Sequence, residues 1–368
     1  ADGNFAVQHF ETLEQYLQPY GVRIALLTGG MRAKARRELL LNLELGLVDV
    51  VVGTHALLEE DVRFANLSLT VTDEQHRFGV EQRARLSNKS ANAPDVLIMT
   101  ATPIPRTLAL TVYGDLDISV MKGRPPQRKP VRTLCYTDER RREVYAGLVR
   151  QVQAGRQAYV VCPLIEESDV LDVHSAERVY EELKRDFLQD IPCALLHGRL
   201  KGAEKDAIMS SFAAGELKVL VSTTVIEVGV NVPNATLMVI ENAERFGLAQ
   251  LHQLRGRVGR GSEQSYCVLL TAADSPEALA RLNVLHESED GFYLAEKDME
   301  QRGAGQLFGL KQHGLPDLRI ADIMRDVDVI AQVRQLAQAQ LRTPEDWAEI
   351  RRLVEMQFGE RFNMIFNT

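Results

Sequence analysis

Short apolar segments alternate with helical patterns through most of this 368-residue chain. Apolar runs of four or five residues suit buried strands, and the helices between them supply the crossovers that parallel strands require. In the first part of the chain the pattern predicts strands at 23–27, 48–52, 69–72 and 96–99, and helices at 5–17, 32–45 and 104–113. This order predicts an α/β fold built on parallel sheets.

A basic segment with three prolines, 122–130, interrupts the alternation and predicts an exposed linker. Beyond it, strands are predicted at 158–162, 193–196, 218–221, 237–240 and 265–270, and helices at 140–154, 175–190 and 203–213. From residue 275 onward the pattern is helical only. We therefore predict a truncated first lobe at 1–122, a linker at 123–130, a complete second lobe at 131–272, a helical hairpin and loop at 273–314, and a helical tail at 315–368.

The composition is that of a soluble globular chain, with 45% hydrophobic and 26% charged residues. No apolar stretch reaches membrane-spanning length, and the N-terminus does not resemble a signal peptide, so no membrane partner is expected. The four cysteines are scattered without C-x-x-C spacing, which predicts neither a metal site nor a disulfide and fits a reducing cytoplasm. The net charge of −8 argues against a protein that coats nucleic acid, although local basic tracks can still attract phosphates.

Two adjacent acids, Asp73 and Glu74, follow the apolar run that ends at Thr72. Mg²⁺ is usually held by one or two carboxylates together with substrate phosphates. Asp73 is therefore predicted to hold Mg²⁺, and Glu74 to orient or deprotonate the water that attacks a γ-phosphate. Taken alone, the pair also fits an ordinary acidic turn after a strand.

Hydroxyl residues stand just after several predicted strands. Thr54, Thr100 and Thr102 suit contacts with a nucleic-acid backbone, or short hydrogen bonds between neighbouring elements, because ligands gather at the carboxyl ends of parallel strands. Residues 222–224 are predicted to begin a helix whose N-terminus captures phosphate, with Gly229 allowing close backbone approach. Plain turns and N-caps are the alternative reading of each.

The segment QLHQLRGRVGRG, residues 250–261, interleaves three arginines with glycines. Glycine disfavours helix formation, and burying an unpaired guanidinium costs much free energy. The segment is therefore predicted not to form a core helix. Arg257 and Arg260 are spaced to present two cations to a polyphosphate, as arginine fingers do during phosphoryl transfer. A merely basic turn is the alternative.

A nucleotide-hydrolysing domain of this kind requires a phosphate loop with the pattern G-x-x-x-x-G-K-[ST], and this chain contains no such run. The nearest glycine pair, 29–30, is followed by Met31 and Arg32. We therefore expect the chain to be a piece of a longer protein whose phosphate loop lies N-terminal to Ala1. On its own, the chain is expected to bind ATP weakly and to hydrolyse it negligibly.

Four runs in this order resemble the two-lobed superfamily-two helicases: DEQHRFGVEQR (73–83), TATPIPRTLAL (100–110), TTVIEVGVNVP (223–233) and QLHQLRGRVGRG (250–261). Together with DGFYLAEKDMEQRGAGQLFGLKQHG (290–314), they are similar to the bacterial branch-migration helicases of the RecG family, up to about residue 340. The resemblance implies two RecA-like lobes, with ATP and Mg²⁺ as cofactors. It also implies an ATP-dependent double-stranded DNA translocase that remodels stalled forks and Holliday junctions in recombination and repair.

The resemblance also implies roles for individual residues. Asp73 and Glu74 become the magnesium and water-activating acids, and Arg257 and Arg260 the arginine fingers. The residues implied to contact ATP are Gln253, Glu227 and Gly229, and those implied to contact DNA are Thr54, Thr100, Thr102 and Thr223. Helical patterns at 276–286 and 293–302 match the family's translocation hairpin, in which Arg281, Arg302 and Gln312 convert lobe closure into DNA movement.

The partners that the resemblance implies are branched double-stranded DNA and a single-stranded-DNA-binding protein, for a monomer in the bacterial cytoplasm. Two other classes stay open from the sequence. A transcription-repair coupling translocase shares the 290–314 block in looser form. A non-catalytic DNA-binding module is the other, because the chain contains no phosphate loop.

Overall fold

The computed structural model describes residues 2–73, 94–100, 117, 119–121, 128–163, 169–223, 232–272, 276–302, 327–340 and 347–358. Backbone packing divides the chain into two units, one formed by residues 1–102 and 124–294 and the other by residues 103–123 and 295–368. Within the described ranges, no helix combines the length and the apolar character needed to cross a bilayer.

The first part of the chain forms two pairs of parallel strands. Its elements are α1 (Asp2–Leu17), β1 (Ile24–Leu27), α2 (Ala33–Glu44), β2 (Val50–Gly53), β3 (Leu69–Thr72) and β4 (Asp95–Ile98). Strand β1 pairs with β2, and β3 pairs with β4. Helix α1 packs on β1 and β2, and a small core forms around the fully buried Leu27. These elements confirm the predicted ones to within three residues, and the predicted helix at 104–113 lies outside the described residues.

The second lobe is a six-stranded parallel sheet with the order β5-β10-β9-β6-β8-β7. Its strands are β5 (Arg132–Thr137), β6 (Gln157–Cys162), β7 (Cys193–Leu196), β8 (Val219–Thr223), β9 (Ala235–Ile240) and β10 (Tyr266–Thr271). Its helices are α3 (Arg141–Gln153), α4 (Asp169–Asp186), α5 (Gly202–Ala213) and α6 (Leu248–Arg255). The predicted α/β architecture is therefore confirmed.

Helices cover both faces of this sheet, as the uninterrupted apolar strands predict. Along β6, Tyr159 and Val161 pack in the core formed with α5 and α6. The alternate residues Ala158 and Val160 pack in a second core formed with α3 and α4. This doubly covered sheet places the carboxyl ends of its strands, and the loops that follow them, at one edge.

The structure differs from the sequence-based expectations for this sheet at β5 and at residues 222 and 223. Strand β5 was not predicted; it lies at an edge of the sheet, and Thr133 is its one buried residue. Residues 222 and 223 were predicted to begin a helix, but they are the last two residues of β8. The strand continues because Ser222 and Thr223 stay in register with their neighbours on β6.

The remaining described elements are helical. They are α7 (Pro276–Glu287), α8 (Gly291–Arg302), α9 (Val327–Gln340) and α10 (Trp347–Phe358). The first two correspond to the two helices predicted for the hairpin. Asp290 caps α8, because its Oδ1 accepts a hydrogen bond of 2.9 Å from the amide of Phe292.

Candidate functional site

Asp73 lies where the sequence places it, directly after β3. Its carboxylate is 31% exposed, and the Nε2 atom of His9 lies 3.5 Å from its Oδ2. His9 belongs to α1 and rests edge-on against Phe5, with 4.3 Å between ring centroids. An accessible carboxylate therefore lies at the end of the strand, with the imidazole of His9 close to it. Glu74 lies outside the described residues.

The pairing of β3 with β4 brings a second predicted residue to the same edge. Thr72 is opposite Ile98 in the register, so Asp73 and Thr100 both follow the carboxyl ends of neighbouring strands. Thr100 is exposed, as a contact with DNA or with a neighbouring element requires. Thr102 lies outside the described residues.

Thr54 follows the carboxyl end of β2 and begins a short 3-10 helix at His55–Leu58. Its amide donates to the carbonyl of Leu27 at 3.3 Å, which ties the turn to β1. A Cβ on the preceding Gly53 would lie 2.4 Å from that carbonyl oxygen, so only glycine fits there. The backbone at Thr54 thus has the N-cap conformation that was the alternative interpretation of this residue, and its DNA contact stays a prediction.

The carboxylate of Asp73 is the kind of ligand that binds a magnesium ion shared with a nucleotide. Among the described residues, no group of three or more histidine, cysteine or acidic side chains could enclose a metal ion. A protein cage is not required, because Mg²⁺ in nucleotide sites keeps waters and binds one or two carboxylates plus phosphate oxygens. One accessible carboxylate at a strand end meets that requirement.

Arg257 and Arg260 lie in the loop that follows α6, and both are half-buried. Burial lowers the pKa of the Arg260 guanidinium, and the neighbouring cations Arg257 and Arg128 lower it further. The hydrogen bond of Arg260 Nε to the carbonyl of Gly256 is long, at 3.5 Å. A partly desolvated guanidinium beside two other cations gains from an anionic ligand, so the cluster suits a phosphate group.

Tyr159 lies close to the same pair of arginines. It belongs to β6, it is buried, and burial raises the pKa of its phenol to about 12 although Arg260 and Arg257 act in the opposite direction. The charges of the two arginines therefore reach a buried aromatic side chain of the sheet. Sequence reasoning missed this residue because it lies within an apolar strand and reads as core.

The glycines between the arginines have steric roles. Gly259 has φ +78°, and a Cβ there would lie 2.6 Å from Cγ2 of Val131. A Cβ on Gly261 would lie 2.7 Å from the carbonyl oxygen of Pro233. The interleaved glycines thus let the loop backbone pass close to neighbouring backbone and side chains. This close packing determines the backbone position of Arg260.

The prediction that 250–261 does not form a core helix is wrong for its first half. Residues up to Arg255 complete α6, whose buried side chains are Leu248, Leu251, Leu254 and Arg255. The buried guanidinium is tolerated because it is paired: Nη1 donates to the carbonyls of Leu285 at 2.7 Å and Ser288 at 2.9 Å. Gly256 and Gly259 lie beyond the helix, and Gln253 lies on its exposed face.

Thr223, predicted to touch DNA, is 1% exposed at the end of β8. Its Oγ1 is buried and makes no hydrogen bond within the described part of the chain. A DNA phosphate reaches this hydroxyl only if its surroundings rearrange, so the contact stays a prediction. The two other predicted residues of this block, Glu227 and Gly229, lie outside the described residues.

The hairpin residues are described only in part. Arg281 lies on α7, and its Nη2 donates to the carbonyl of Glu244, in the turn before α6. Arg302 is the last residue of α8, and its side chain lies outside the described part, as does Gln312. The structure thus places Arg281 against the second lobe and leaves the coupling roles as predictions.

Three family models match the chain, in the order in which the sequence blocks occur. The DEAD/DEAH box helicase model matches residues 4–111, and the helicase conserved C-terminal domain matches residues 140–262. The C-terminal part of domain 3 of the ATP-dependent DNA helicase RecG matches residues 288–357.

Curated relatives and solved structures agree with these matches. The ATP-dependent DNA helicase RecG of Bacillus subtilis is 49% identical over 344 residues, which are 94% of this chain and 50% of that protein. The RecG of Thermotoga maritima is 48% identical over 90% of this chain and 42% of that protein. The chain thus spans about half the length of the curated relatives it matches.

A structure of RecG bound to a three-way DNA junction aligns with a TM-score of 0.70 and 44% identity, covering 88% of this chain and 42% of that one. The Mycobacterium smegmatis helicase Lhr, bound to single-stranded DNA and AMP-PNP, aligns with a TM-score of 0.56 at 17% identity, which shows the shared fold alone. It covers 78% of this chain and 41% of that one. With the domain 3 match, the RecG relatives favour this assignment over a transcription-repair translocase. The chain belongs to the RecG family of ATP-dependent DNA helicases.

Proposed function

We propose that this chain is the motor part of an ATP-dependent helicase that translocates on double-stranded DNA. The observation that carries the proposal is the pair Arg257 and Arg260, held half-buried by glycine-shaped turns, with Arg260 destabilised as a cation by burial and by its neighbours. Such a pair is suited to stabilise charge that develops on a transferred phosphoryl group. The names of the relatives support the same activity.

The nucleotide half of the site comes from the strand ends of the first lobe. Asp73 holds Mg²⁺, which, when bound, neutralises phosphate charge. Glu74 orients or deprotonates the attacking water. Gln253, Glu227 and Gly229 contact ATP from the second lobe. Because the chain contains no G-x-x-x-x-G-K-[ST] run, hydrolysis requires a phosphate loop supplied by further sequence, and this chain alone is inactive.

The DNA substrate is branched duplex, such as a stalled replication fork or a Holliday junction, during recombination and repair. A RecG relative has been solved on a three-way DNA junction, which supports this substrate class. Thr54, Thr100, Thr102 and Thr223 contact the sugar-phosphate backbone, so binding is independent of base sequence and weakens as salt rises.

Translocation uses the helices after the second lobe. Arg281, Arg302 and Gln312 convert closure of the two lobes into movement of DNA. The protein acts as a monomer in the bacterial cytoplasm, with a single-stranded-DNA-binding protein as a further partner. The RecG domain 3 match over residues 288–357 supports a family-specific role for this part of the chain.

The arginine pair gives the sharpest test. In a polypeptide where a phosphate-loop segment precedes residue 1, Arg260→Gln and Arg257→Gln should each lower kcat for DNA-stimulated ATP hydrolysis by about 10³-fold. Affinity for ATP should change little, because an arginine finger acts chiefly in the transition state.

The matched control is Arg185→Gln. Arg185 is exposed on α4, which packs on the sheet face opposite α6, and it pairs with its neighbour Asp186 at 2.7 Å. The Arg185→Gln variant should leave kcat for DNA-stimulated ATP hydrolysis unchanged. If both finger variants hydrolyse ATP at the rate of the control, the proposed site is wrong.

A further inference from the structure

The imidazole of His9 has a buried nitrogen beside the end of β3. The side chain of His9 is 43% exposed, but its Nε2 atom is buried and has no hydrogen-bond partner among the described residues. The Oδ2 atom of Asp73 lies 3.5 Å from this nitrogen. Buried polar atoms without a partner are rare in native proteins, and some of them have a functional role. The nitrogen is thus an unused hydrogen-bonding atom beside the predicted magnesium ligand.

The ring of His9 is supported by its own helix. Phe5 lies one helical turn earlier in α1, and the two rings meet edge-on at 84°, with 4.3 Å between their centroids. Helix α1 itself packs on β1 and β2. The imidazole therefore stands on a helix that rests on one pair of strands, and it lies beside a carboxylate that follows the other pair.

The chemistry of this pair favours His9 as a hydrogen-bond donor to the magnesium ligand rather than as a ligand. Mg²⁺ takes oxygen ligands, so the ion binds the carboxylate in preference to the imidazole. Carboxylates that bind metals are themselves hydrogen-bonded by neighbouring groups, which orient them. A neutral imidazole with its hydrogen on Nε2 supplies a donor of this kind.

The hydrogen bond is not formed in this structure, but it requires only a small movement. The separation of 3.5 Å exceeds the usual N–H···O distance of about 2.9 Å by roughly 0.5 Å. The side chain of Asp73 is 31% exposed, so its carboxylate can turn without displacing the core. Binding of an ion to one carboxylate oxygen and donation from Nε2 to the other are therefore compatible.

We propose that His9 is a positioning residue for magnesium, whose Nε2 donates to Oδ2 of Asp73 and leaves Oδ1 to the ion. This hydrogen bond favours the carboxylate orientation that binds Mg²⁺, so the ion binds more tightly. The inference rests on the proposed motor function, and it adds a residue that contacts neither the ion nor the nucleotide.

The first test measures how much magnesium the motor requires. In a polypeptide where a phosphate-loop segment precedes residue 1, His9→Leu should raise the Mg²⁺ concentration for half-maximal DNA-stimulated ATP hydrolysis by about tenfold. The kcat at saturating Mg²⁺ should stay within about twofold of the parent value, because the ion then fills the site. His9→Gln keeps an N–H donor, so it should bring the Mg²⁺ requirement back to within about threefold of the parent.

The matched control is Gln15→Leu, which places the same side chain at an exposed position of α1. This control should leave the Mg²⁺ requirement unchanged. An unchanged Mg²⁺ requirement in His9→Leu would overturn the inference, and so would a fall in kcat without a change in that requirement. His9→Gln behaving like His9→Leu would also overturn it, because the donor would then have no effect.

The second test does not depend on turnover. In the same polypeptide saturated with ADP, the Kd for Mn²⁺, measured by electron paramagnetic resonance, should rise by about tenfold in His9→Leu and by less than about threefold in His9→Gln. Pulsed measurements should show the same nitrogen couplings to Mn²⁺ in the parent and in His9→Leu. A directly coordinated nitrogen that disappears in His9→Leu would make His9 a ligand and would refute the positioning role.

Asp73→Asn separates this inference from the proposed function. If the unsubstituted polypeptide shows no DNA-stimulated hydrolysis, or if Asp73→Asn leaves its Mg²⁺ requirement unchanged, the proposed motor site itself fails. If Asp73→Asn raises the Mg²⁺ requirement but His9→Leu does not, the motor proposal stands and only the role of His9 is refuted.

Discussion

Replacing Gly259 by alanine should destabilise the second lobe more than the same change at a matched glycine. Gly259 has φ +78°, and a left-handed backbone costs an L-residue roughly 1–2 kcal/mol. The new Cβ would also lie 2.6 Å from Cγ2 of Val131. Inserting an extra methyl group into a packed position lowers the free energy of unfolding by a further ~1–3 kcal/mol. The free energy of unfolding of the second lobe should therefore fall by about 2–5 kcal/mol.

Gly215→Ala is the matched control, because Gly215 has φ +76° and nothing within 4 Å of the added Cβ. This control should lower the free energy of unfolding only by the cost of the left-handed backbone conformation, about 1–2 kcal/mol. Native-state hydrogen exchange at the amides of β5 and β10, which flank the arginine loop, measures the free energy of opening of this lobe.

The clash with Val131 can be isolated by a double-mutant cycle. Val131→Ala removes Cγ2, the atom that the new Cβ would approach. The double variant Gly259→Ala/Val131→Ala should therefore lose about 1 kcal/mol less free energy of unfolding than the sum of the two single variants. Equal losses for Gly259→Ala and Gly215→Ala, or strict additivity in the cycle, would refute the steric account of this loop.

Three further predictions follow from the contacts of single residues. The pKa of His252 is lowered to about 4, chiefly by burial and then by Arg255. The unfolded chain therefore takes up this proton first, and stability on the order of 3 kcal/mol is present above about pH 6.5 and lost as the pH falls toward 4. His252→Gln should flatten that part of the curve of unfolding free energy against pH, and an unchanged slope would contradict the assignment. Tyr145→Phe should destabilise the second lobe by about 1–3 kcal/mol in urea unfolding, because the phenol donates at 2.6 Å to the buried Glu241 and accepts from Arg141; a neutral effect would show that Arg141 alone satisfies the carboxylate. Glu74→Gln, in a polypeptide with the phosphate loop, should abolish ATP turnover while DNA affinity by fluorescence anisotropy stays the same, and an undiminished hydrolysis rate would remove Glu74 from its role.

The central strands could be predicted from the sequence because they are buried on both faces and therefore read as plain apolar runs. Strand β6, with its six buried residues, is the clearest case. Edge strand β5 could not be predicted this way, because it carries Thr133 and Thr137 and follows a proline-rich segment. Its assignment depends on hydrogen bonding to β10, which is a tertiary contact.

Candidate site residues could be predicted from the sequence, but the tertiary contacts around them could not. Asp73 was predicted because ligands gather at the carboxyl ends of parallel strands, and Arg257 and Arg260 were predicted because arginines interleaved with glycines suit a polyphosphate. The roles of all three stay predictions. The burial of Arg255 could not be foreseen, because its acceptors are backbone carbonyls 30 and 33 residues further along the chain. Carbonyl groups carry no sequence signature, so a pattern of side chains does not report them.

The most direct test of the proposed motor is a structure of the phosphate-loop polypeptide bound to ADP, Mg²⁺ and a fluoride analogue of the transferring phosphoryl group. The proposal predicts a guanidinium nitrogen of Arg257 or Arg260 within about 3 Å of the analogue, with Asp73 on the magnesium side of the same nucleotide. Both guanidinium groups remaining beyond about 6 Å from the analogue, outside hydrogen-bonding range, would contradict the proposed catalytic site.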